Sequence, residues 1–243
     1  MGTSIPGFIE AGDLKFYLYR STAKIESLYG QIEKSPKKTK LKWKLNLHAV
    51  SNERETETSG ELNDEQKLQL VLRELDEQQL VGSIEDRKPY IRGLLPMRWG
   101  IYEDDGMRPS NQGPFVYFGS DSDDVLLGMG GSSHHVESWY GVTATGSRSA
   151  TPALVEFLLH GIDIGERPLR FERADRQDME KLYEAMALAN HYLRGPVQNL
   201  EFVAKVLCRD EQCRIKPWGP ELGAAILATP LYVRQIDVMS VDD

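Results

Sequence analysis

Residues 115–129, FVYFGSDSDDVLLGM, combine two β-prone runs with a short polar connection. Aromatic and β-branched side chains fill Phe115–Phe118, and aliphatic side chains dominate Val125–Met129; both kinds of residue favour strands. The Gly, Ser and Asp residues of 119–124 are typical of a tight turn. The stretch therefore predicts a β-hairpin, which is a pair of neighbouring antiparallel strands.

Most other predicted strands are likewise separated by short turns and not by crossover helices. The further strands are predicted at Lys15–Arg20, Leu41–Val50, Tyr90–Leu95, Met97–Tyr102, Leu200–Cys208, Cys213–Lys216 and Leu231–Ile236. Helices are predicted at Ala23–Ile32, Thr151–His160 and Asp175–Leu193. A further helix is predicted to begin after Asn63, which is its N-cap and forms a capping box with Gln66. Only the opening strand–helix–strand suggests a crossover. This order predicts an α+β fold with a mixed, mainly antiparallel sheet and helices packed on one face.

The composition is that of a folded chain. Of the 243 residues, 40% are hydrophobic, which is enough to build a core, and 27% are charged. We expect a single globular unit, 1–243, with flexible termini at 1–13 and 238–243. Residues 51–60 and 138–150 are polar and are predicted to be loops.

The charge and hydropathy patterns exclude several classes of protein. A net charge of −8 makes nucleic acid an improbable partner, because binding phosphate requires clustered Lys and Arg. The lysines of Lys34–Lys44 form one basic cluster, but part of it, Lys40, Lys42 and Lys44, alternates with apolar residues, as on the solvent-exposed face of a strand. There is no apolar run of about 18 residues and no signal-peptide pattern at Met1–Gly12. We therefore expect a soluble, cytoplasmic protein with no membrane association.

Residues 127–136, LGMGGSSHHV, are the most unusual stretch. Their glycines and serines could expose backbone N–H groups to a phosphate or another anion. The stretch contains neither a phosphate-loop pattern nor the third glycine of a dinucleotide fingerprint. Arginines beside turns elsewhere in the chain could bind the same anion with their guanidinium groups, which donate paired hydrogen bonds. The predicted ligand-binding residues are Gly128, Gly130, Gly131, Ser132, Ser133, Arg20, Arg92, Arg148 and Arg194.

The same stretch holds the candidates for catalysis. His134 or His135 could act as a general acid or base, and Ser133 is the candidate nucleophile, although it lacks a Gly-x-Ser-x-Gly context. Adjacent histidines point to opposite sides of an extended chain, so they are poorly placed to chelate one metal together.

No metal or other cofactor is predicted. The acidic turn residues Asp121, Asp123 and Asp124 lack the spacing of a calcium loop. Cys208 and Cys213 are too few for a metal site, and we expect both to be reduced thiols.

Several segments together resemble a known group of proteins. They are Tyr17–Tyr19 with Ser21, Lys24 and Leu28; Gly130–Ser132 with His135 and Val136; Thr151 with Pro152; Arg194–Pro196 with Leu200–Phe202; and Thr229–Val233. The set resembles an uncharacterised bacterial domain family, common in actinobacteria, over nearly the whole chain. The resemblance implies a bacterial, cytoplasmic protein, and it implies no reaction, cofactor or catalytic residue.

Three functions remain open from the sequence. The favoured hypothesis is a ligand-sensing or interaction module that binds a small anionic, nucleotide-like molecule or a partner protein's acidic group. The alternatives are a hydrolase or phosphodiesterase-type enzyme that uses His134 or His135, and a structural subunit of an assembly. The sequence does not determine the oligomeric state.

Overall fold

Seven strands form one sheet in the computed structural model of the chain. The structure describes residues 16–34, 62–102, 114–122, 125–137, 154, 158, 176–211 and 224–236. The strands are β1 (Phe16–Arg20), β2 (Val81–Gly82), β3 (Tyr90–Tyr102), β4 (Phe115–Ser122), β5 (Val125–Ser132), β6 (Gln198–Asp210) and β7 (Ala224–Gln235). The helices are α1 (Thr22–Lys34), α2 (Asp64–Glu77) and α3 (Arg176–Tyr192), and a 3₁₀ turn covers Ser133–His135.

Five of the strands close into a barrel. β3 pairs with β4, β4 with β5, β5 with β7, β7 with β6, and β6 with β3 again. The β5–β7 pair is parallel and the other four pairs are antiparallel. β1 extends the sheet beside β7, and the short β2 runs parallel to β3. Closure pairs both edges of these five strands, which leaves fewer free edges for unwanted association.

The side chains alternate between the inside and the outside of the barrel wall. On β4, Val116 and Phe118 belong to the inner core, whereas Phe115 and Tyr117 belong to an outer cluster with α3. This alternation follows from the two-residue period of a strand. A second outer cluster contains Ile25 of α1. Its other buried members are Leu68, Val71, Leu75, Tyr90, Val203, Leu231 and Tyr232.

The predicted fold class is confirmed. The fold is α+β with a mixed, mainly antiparallel sheet, and the three helices given above cover one face of it in the described part of the chain. Because the sheet closes, that face is the outside of the barrel. α3 contacts β4 and β5, while the α1–α2 pair packs with residues of β3, β6 and β7.

Several local predictions are also confirmed. Residues 115–122 and 125–132 form the predicted hairpin, with longer strands than expected. The Asn63 side chain accepts a hydrogen bond from the backbone N–H of Gln66, whose side chain accepts one from the backbone N–H of Asn63, and this completes the capping box. The two strands predicted on either side of Pro96 are one continuous strand, β3, and the proline carbonyl accepts a hydrogen bond from Ser120.

Other predictions fall outside the described residues. They concern the strands at 41–50 and 213–216, the loops at 51–60 and 138–150, both chain termini, Asp123, Asp124, Arg148 and Cys213. Of the helix predicted at 151–160, only Leu154 and Leu158 are described, and both are buried in the outer cluster with α3. None of the helices described is long and apolar enough to cross a membrane.

Candidate functional site

The three glycines of the candidate segment lie within β5 and are buried. They pair with β4, Gly128 opposite Gly119, Gly130 opposite Tyr117 and Gly131 opposite Val116. Their backbones thus form part of the barrel wall.

Neighbouring side chains occupy the space that a side chain at each glycine would need. A Cβ on Gly128 would lie 2.6 Å from the Tyr117 hydroxyl oxygen, and one on Gly130 would lie 2.6 Å from a methyl group of Leu154. A Cβ on Gly131 would overlap the hydroxyl oxygen of Tyr19. Packing therefore accounts for these glycines, and the expected cradle of exposed amides does not form along 128–131.

Ser132 and Ser133 lie where β5 passes into the 3₁₀ turn. Ser132 is partly exposed, whereas Ser133 is buried. The Ser133 hydroxyl donates to the carbonyl oxygen of Pro114 at 3.0 Å, and its backbone N–H also donates there at 3.3 Å. These hydrogen bonds link the end of β5 to the start of β4, so the hydroxyl has a structural role.

His135 lies against the start of α1. Its Nδ1 is 3.2 Å from the Thr22 hydroxyl oxygen, and its ring meets the Tyr19 ring edge-on at 5.8 Å between centroids. Burial, followed by the nearby charges of Lys24 and His134, lowers the pKa of His135 to about 4. The imidazole is therefore neutral at pH 7. His134 is also partly exposed, beside it on the same turn.

Among the predicted arginines, Arg20 lies next to the candidate segment. Its Nε donates to Glu137 at 2.6 Å, and its Nη1 is 3.6 Å from Glu65 of α2. The guanidinium also lies 5.0 Å from the centre of the Tyr17 ring. Two carboxylates thus already neutralise the charge of Arg20.

The other predicted arginines are placed elsewhere or are not described. Arg92 lies on β3 and pairs with Asp76 of α2 at 3.0 Å. Arg194 is exposed just after α3, and a Cβ on the adjoining Gly195 would lie 3.1 Å from the carbonyl oxygen of Trp99. Arg148 falls outside the described residues. In the part of the chain that the structure describes, no contact brings Arg92 or Arg194 to the candidate segment.

Lys24, which is not among the predicted site residues, also lies beside the candidate segment. From the first turn of α1, its Nζ donates to the Thr229 hydroxyl at 2.6 Å and to the Pro230 carbonyl at 3.2 Å. The Thr229 hydroxyl in turn donates to the Gly130 carbonyl at 3.0 Å. This chain of bonds links α1, β7 and β5 beside the predicted segment.

A second lysine lies next to Lys24. Lys205 of β6 is directly opposite Thr229 in the β6–β7 register, and side chains of such pairs lie about 5 Å apart at Cβ. Burial, followed by the charge of Lys205, lowers the pKa of Lys24 to about 8. Within the described ranges, no carboxylate pairs with Lys24 or Lys205. We call Thr22, Lys24, His135, Lys205 and Thr229 the Lys24 cluster.

The sequence contained one signal for this cluster. A cation in the first turn of a helix faces the positive end of the helix dipole, where acids are preferred. The first turn of α1 contains Lys24 and no acid. Several residues of the family resemblance also meet here, since Tyr19, Lys24, Gly130, His135 and Thr229 all lie in or beside the cluster.

A metal site finds no support among the residues that the structure covers, because they contain no group of three or more His, Cys, Asp or Glu arranged to hold an ion. Cys208 is a free, partly buried thiol. Burial raises its pKa to about 11, so the reactive thiolate is disfavoured at pH 7.

The comparisons with known proteins identify a family and no function. No curated protein and no solved structure matches the chain significantly. Residues 15–237, nearly the whole chain, match the family model described as a family of unknown function, DUF7019. The chain therefore belongs to DUF7019, a family of unknown function.

Proposed function

We propose that this chain is a small-anion or nucleotide-like ligand-sensing or interaction module of a cytoplasmic bacterial system, and that it binds the ligand's negative group at the Lys24 cluster. One observation carries the proposal. Among the described residues, the partly buried ammonium of Lys24 donates hydrogen bonds to two neutral oxygens, those of Thr229 and Pro230. No described carboxylate balances its charge.

Electrostatics favours an external anion at this position. Removing a cation from water costs free energy unless an opposite charge compensates it. Here the neighbouring charge of Lys205 and the positive end of α1 add to that cost. An anion beside Lys24 would relieve all three effects at once, so binding there should be favourable.

The proposed site differs from the one expected from the sequence. The ligand's negative group contacts side chains of α1, β6 and the 3₁₀ turn, not the amides of Gly128–Gly131. Ser132, which is partly exposed at the end of β5, remains a candidate contact at the edge. Arg20 lies near by but is engaged by Glu137.

Thermal unfolding with added ions tests the proposal. Inorganic phosphate and a nucleotide panel, each at matched ionic strength, should raise the melting temperature of the wild-type protein. A ligand at a hundred times its Kd adds about 2.7 kcal/mol to the free energy of unfolding. In Lys24→Met this stabilisation should be lost.

Lys67→Met is the matched control. Lys67 is another lysine of the α1–α2 pair, but its Nζ already pairs with Glu26 at 2.6 Å. The control should keep the full stabilisation by ions. The proposal fails if no ion stabilises the wild type, or if both variants respond to the ions as the wild type does.

A hydrolase that uses His135 remains the alternative with a specific observation behind it. The Thr22 hydroxyl lies 3.2 Å from His135 Nδ1, which is a distance suited to a nucleophile and its base. A pKa of about 4 makes this imidazole a weak base at pH 7. Turnover of a nitrophenyl phosphate or ester that is abolished in both Thr22→Val and His135→Asn would favour the enzyme.

The third alternative, a structural subunit, would use exposed apolar side chains. Phe16, Leu94, Tyr192 and Val197 are each more than half exposed, at 61%, 52%, 60% and 54%. Sedimentation of the purified protein as a monomer over a wide concentration range would count against self-assembly through them.

A further inference from the structure

We infer that the group bound by the Lys24 cluster is the dianionic phosphate of a phosphate monoester, and not a carboxylate. The inference rests on the proposed function and specifies the chemical class of its ligand. Three features of the cluster carry it: the number of charges, the shape of the cationic groups, and the polar groups around them.

The charge count matches a dianion. The cluster brings together two lysines: Lys24, whose Nζ donates to the Thr229 hydroxyl, and Lys205, which lies directly opposite Thr229 in the register and whose charge acts on Lys24. Neither pairs with a carboxylate in the portion of the chain described. A carboxylate would neutralise one of these charges, whereas a phosphate monoester carries nearly two negative charges at pH 7.

The shape of the cationic groups also favours phosphate. Planar carboxylates are best matched by the flat fork of arginine, which donates two parallel hydrogen bonds. The cluster instead presents lysines, which act as point charges on flexible stems and suit a tetrahedral group with oxygens on several sides. Arg20, which lies beside the 3₁₀ turn, is bound to Glu137 and Glu65.

Neutral polar groups complete the cluster. The Thr22 hydroxyl and the His135 imidazole, partners at 3.2 Å, lie at the same end of α1 as Lys24. The pKa of His135, lowered to about 4 by burial and by Lys24, keeps the ring neutral. It can then donate or accept one hydrogen bond without adding a third charge. The first turn of α1 contributes the positive end of its dipole, which stabilises phosphate groups in many proteins.

Three ligands that each contain a phenyl ring can distinguish the effect of the ligand's charge on affinity from the effect of its shape. Phenyl phosphate is a tetrahedral dianion, phenyl sulfate a tetrahedral monoanion and benzoate a planar monoanion. Their dissociation constants would be measured by calorimetry at about pH 7.5, where the phosphate ester is fully ionised. We expect phenyl phosphate to bind at least about tenfold more tightly than either monoanion.

Two variants test the two lysines separately. Lys24→Met and Lys205→Met should each weaken phenyl phosphate binding by about tenfold or more, and each should bring its affinity close to that of phenyl sulfate. Lys205 is exposed on β6, so its replacement should not disturb folding even if that of Lys24 does. Lys67→Met should bind all three ligands as the wild type does.

The outcomes distinguish this inference from the proposed function. If benzoate or phenyl sulfate binds as tightly as phenyl phosphate, and Lys24→Met abolishes binding, the anion site stands and the phosphate assignment is overturned. The assignment is likewise overturned if Lys205→Met has no effect on phenyl phosphate binding. If none of the three ligands binds, both the phosphate inference and the proposed function fail.

Discussion

The hydroxyl of Tyr117 on β4 donates a 2.8 Å hydrogen bond to Oδ1 of Asn190 on α3, and both groups are buried. Asn190 Nδ2 then donates to the carbonyls of Ser120, at 2.9 Å, and Leu127, at 3.1 Å. A single amide thus joins α3 to both strands of the central hairpin. Gly119 permits the approach, because a Cβ there would overlap the Asn190 side chain.

Replacing Asn190 should be costly. Asn190→Ala leaves a buried hydroxyl and two buried carbonyls without this partner, and we expect the free energy of unfolding to fall by about 3 kcal/mol. Chemical denaturation would measure the loss. Tyr117→Phe, which removes one of the three bonds, should cost only about 1 kcal/mol. A loss for Asn190→Ala no larger than that for Tyr117→Phe would contradict the role of the amide as the central link.

Gly131→Ala tests whether the β5 glycines serve packing. The added Cβ would overlap the Tyr19 hydroxyl oxygen, and overpacking of this kind costs about 1–3 kcal/mol. Tyr19→Phe removes that oxygen, so the double variant should recover part of the loss. The cost should not depend on whether an anion is present.

Gly30→Ala is the matched control for Gly131→Ala. Gly30 lies within α1, and nothing approaches within 4 Å of a Cβ built there. Alanine is the better helix former, so this variant should gain about 0.5–1 kcal/mol. Equal effects of the two substitutions would contradict the packing explanation.

The stability of the protein should depend on pH through His135. Its pKa falls from the ordinary 6.5 to about 4 on folding, because of burial and the charges of Lys24 on α1 and His134 beside it. Between these values the unfolded chain binds a proton that the folded chain does not. Stability from this group is therefore complete above about pH 6.5 and is lost as the pH falls towards 4.

Unfolding experiments across this pH range would reveal the contribution. The wild type should lose more stability than His135→Gln as the pH falls, and the difference should be confined to that window. His134→Gln, at the adjacent and partly exposed position, serves as the control. Parallel pH profiles for the wild type and His135→Gln would show that the imidazole titrates normally in the folded protein.

Replacing Arg20 and replacing Arg92 should lower the free energy of unfolding by different amounts. The Arg92–Asp76 pair is exposed, with side chains 44% and 47% accessible, so Arg92→Ala should cost no more than about 1 kcal/mol. Arg20→Ala should cost more, because its less accessible guanidinium joins Glu137 and Glu65. Denaturation of the two variants would compare them directly. Since neither arginine belongs to the Lys24 cluster, Arg92→Ala should leave phosphate binding unchanged.

The strands and helices were largely predictable because their signals are local. The β-prone runs around residues 119–124, the Asn63–Gln66 capping box and the apolar stripe of α2 each lie within one short window of sequence. Closure of the sheet was not predictable in this way. It depends on β6 pairing with both β3 and β7, and no local pattern records which strands are neighbours.

The proposed site could not be derived from the sequence in the way that the fold could, for a physical reason. The sequence does not show whether a glycine leaves space for a ligand or for a neighbouring buried side chain. Gly131 leaves space for the buried Tyr19. In the sequence, Lys24 cannot be distinguished from any other helix lysine. Only the fold brings β7 close enough for the Thr229 hydroxyl to lie 2.6 Å from its Nζ. Its place in the first turn of α1 was the one available sign.

The position of β7 has a consequence for how the chain folds. One edge of β7 is taken by β6, while the other is shared by β5 along its first half and β1 along its second half. β1 has β7 as its strand neighbour, so this early strand cannot complete its pairing until almost the whole described chain has been synthesised. Pairings between strands that are distant in sequence usually make folding slow, and until β7 is made the strand β1 remains unpaired and open to association with other chains.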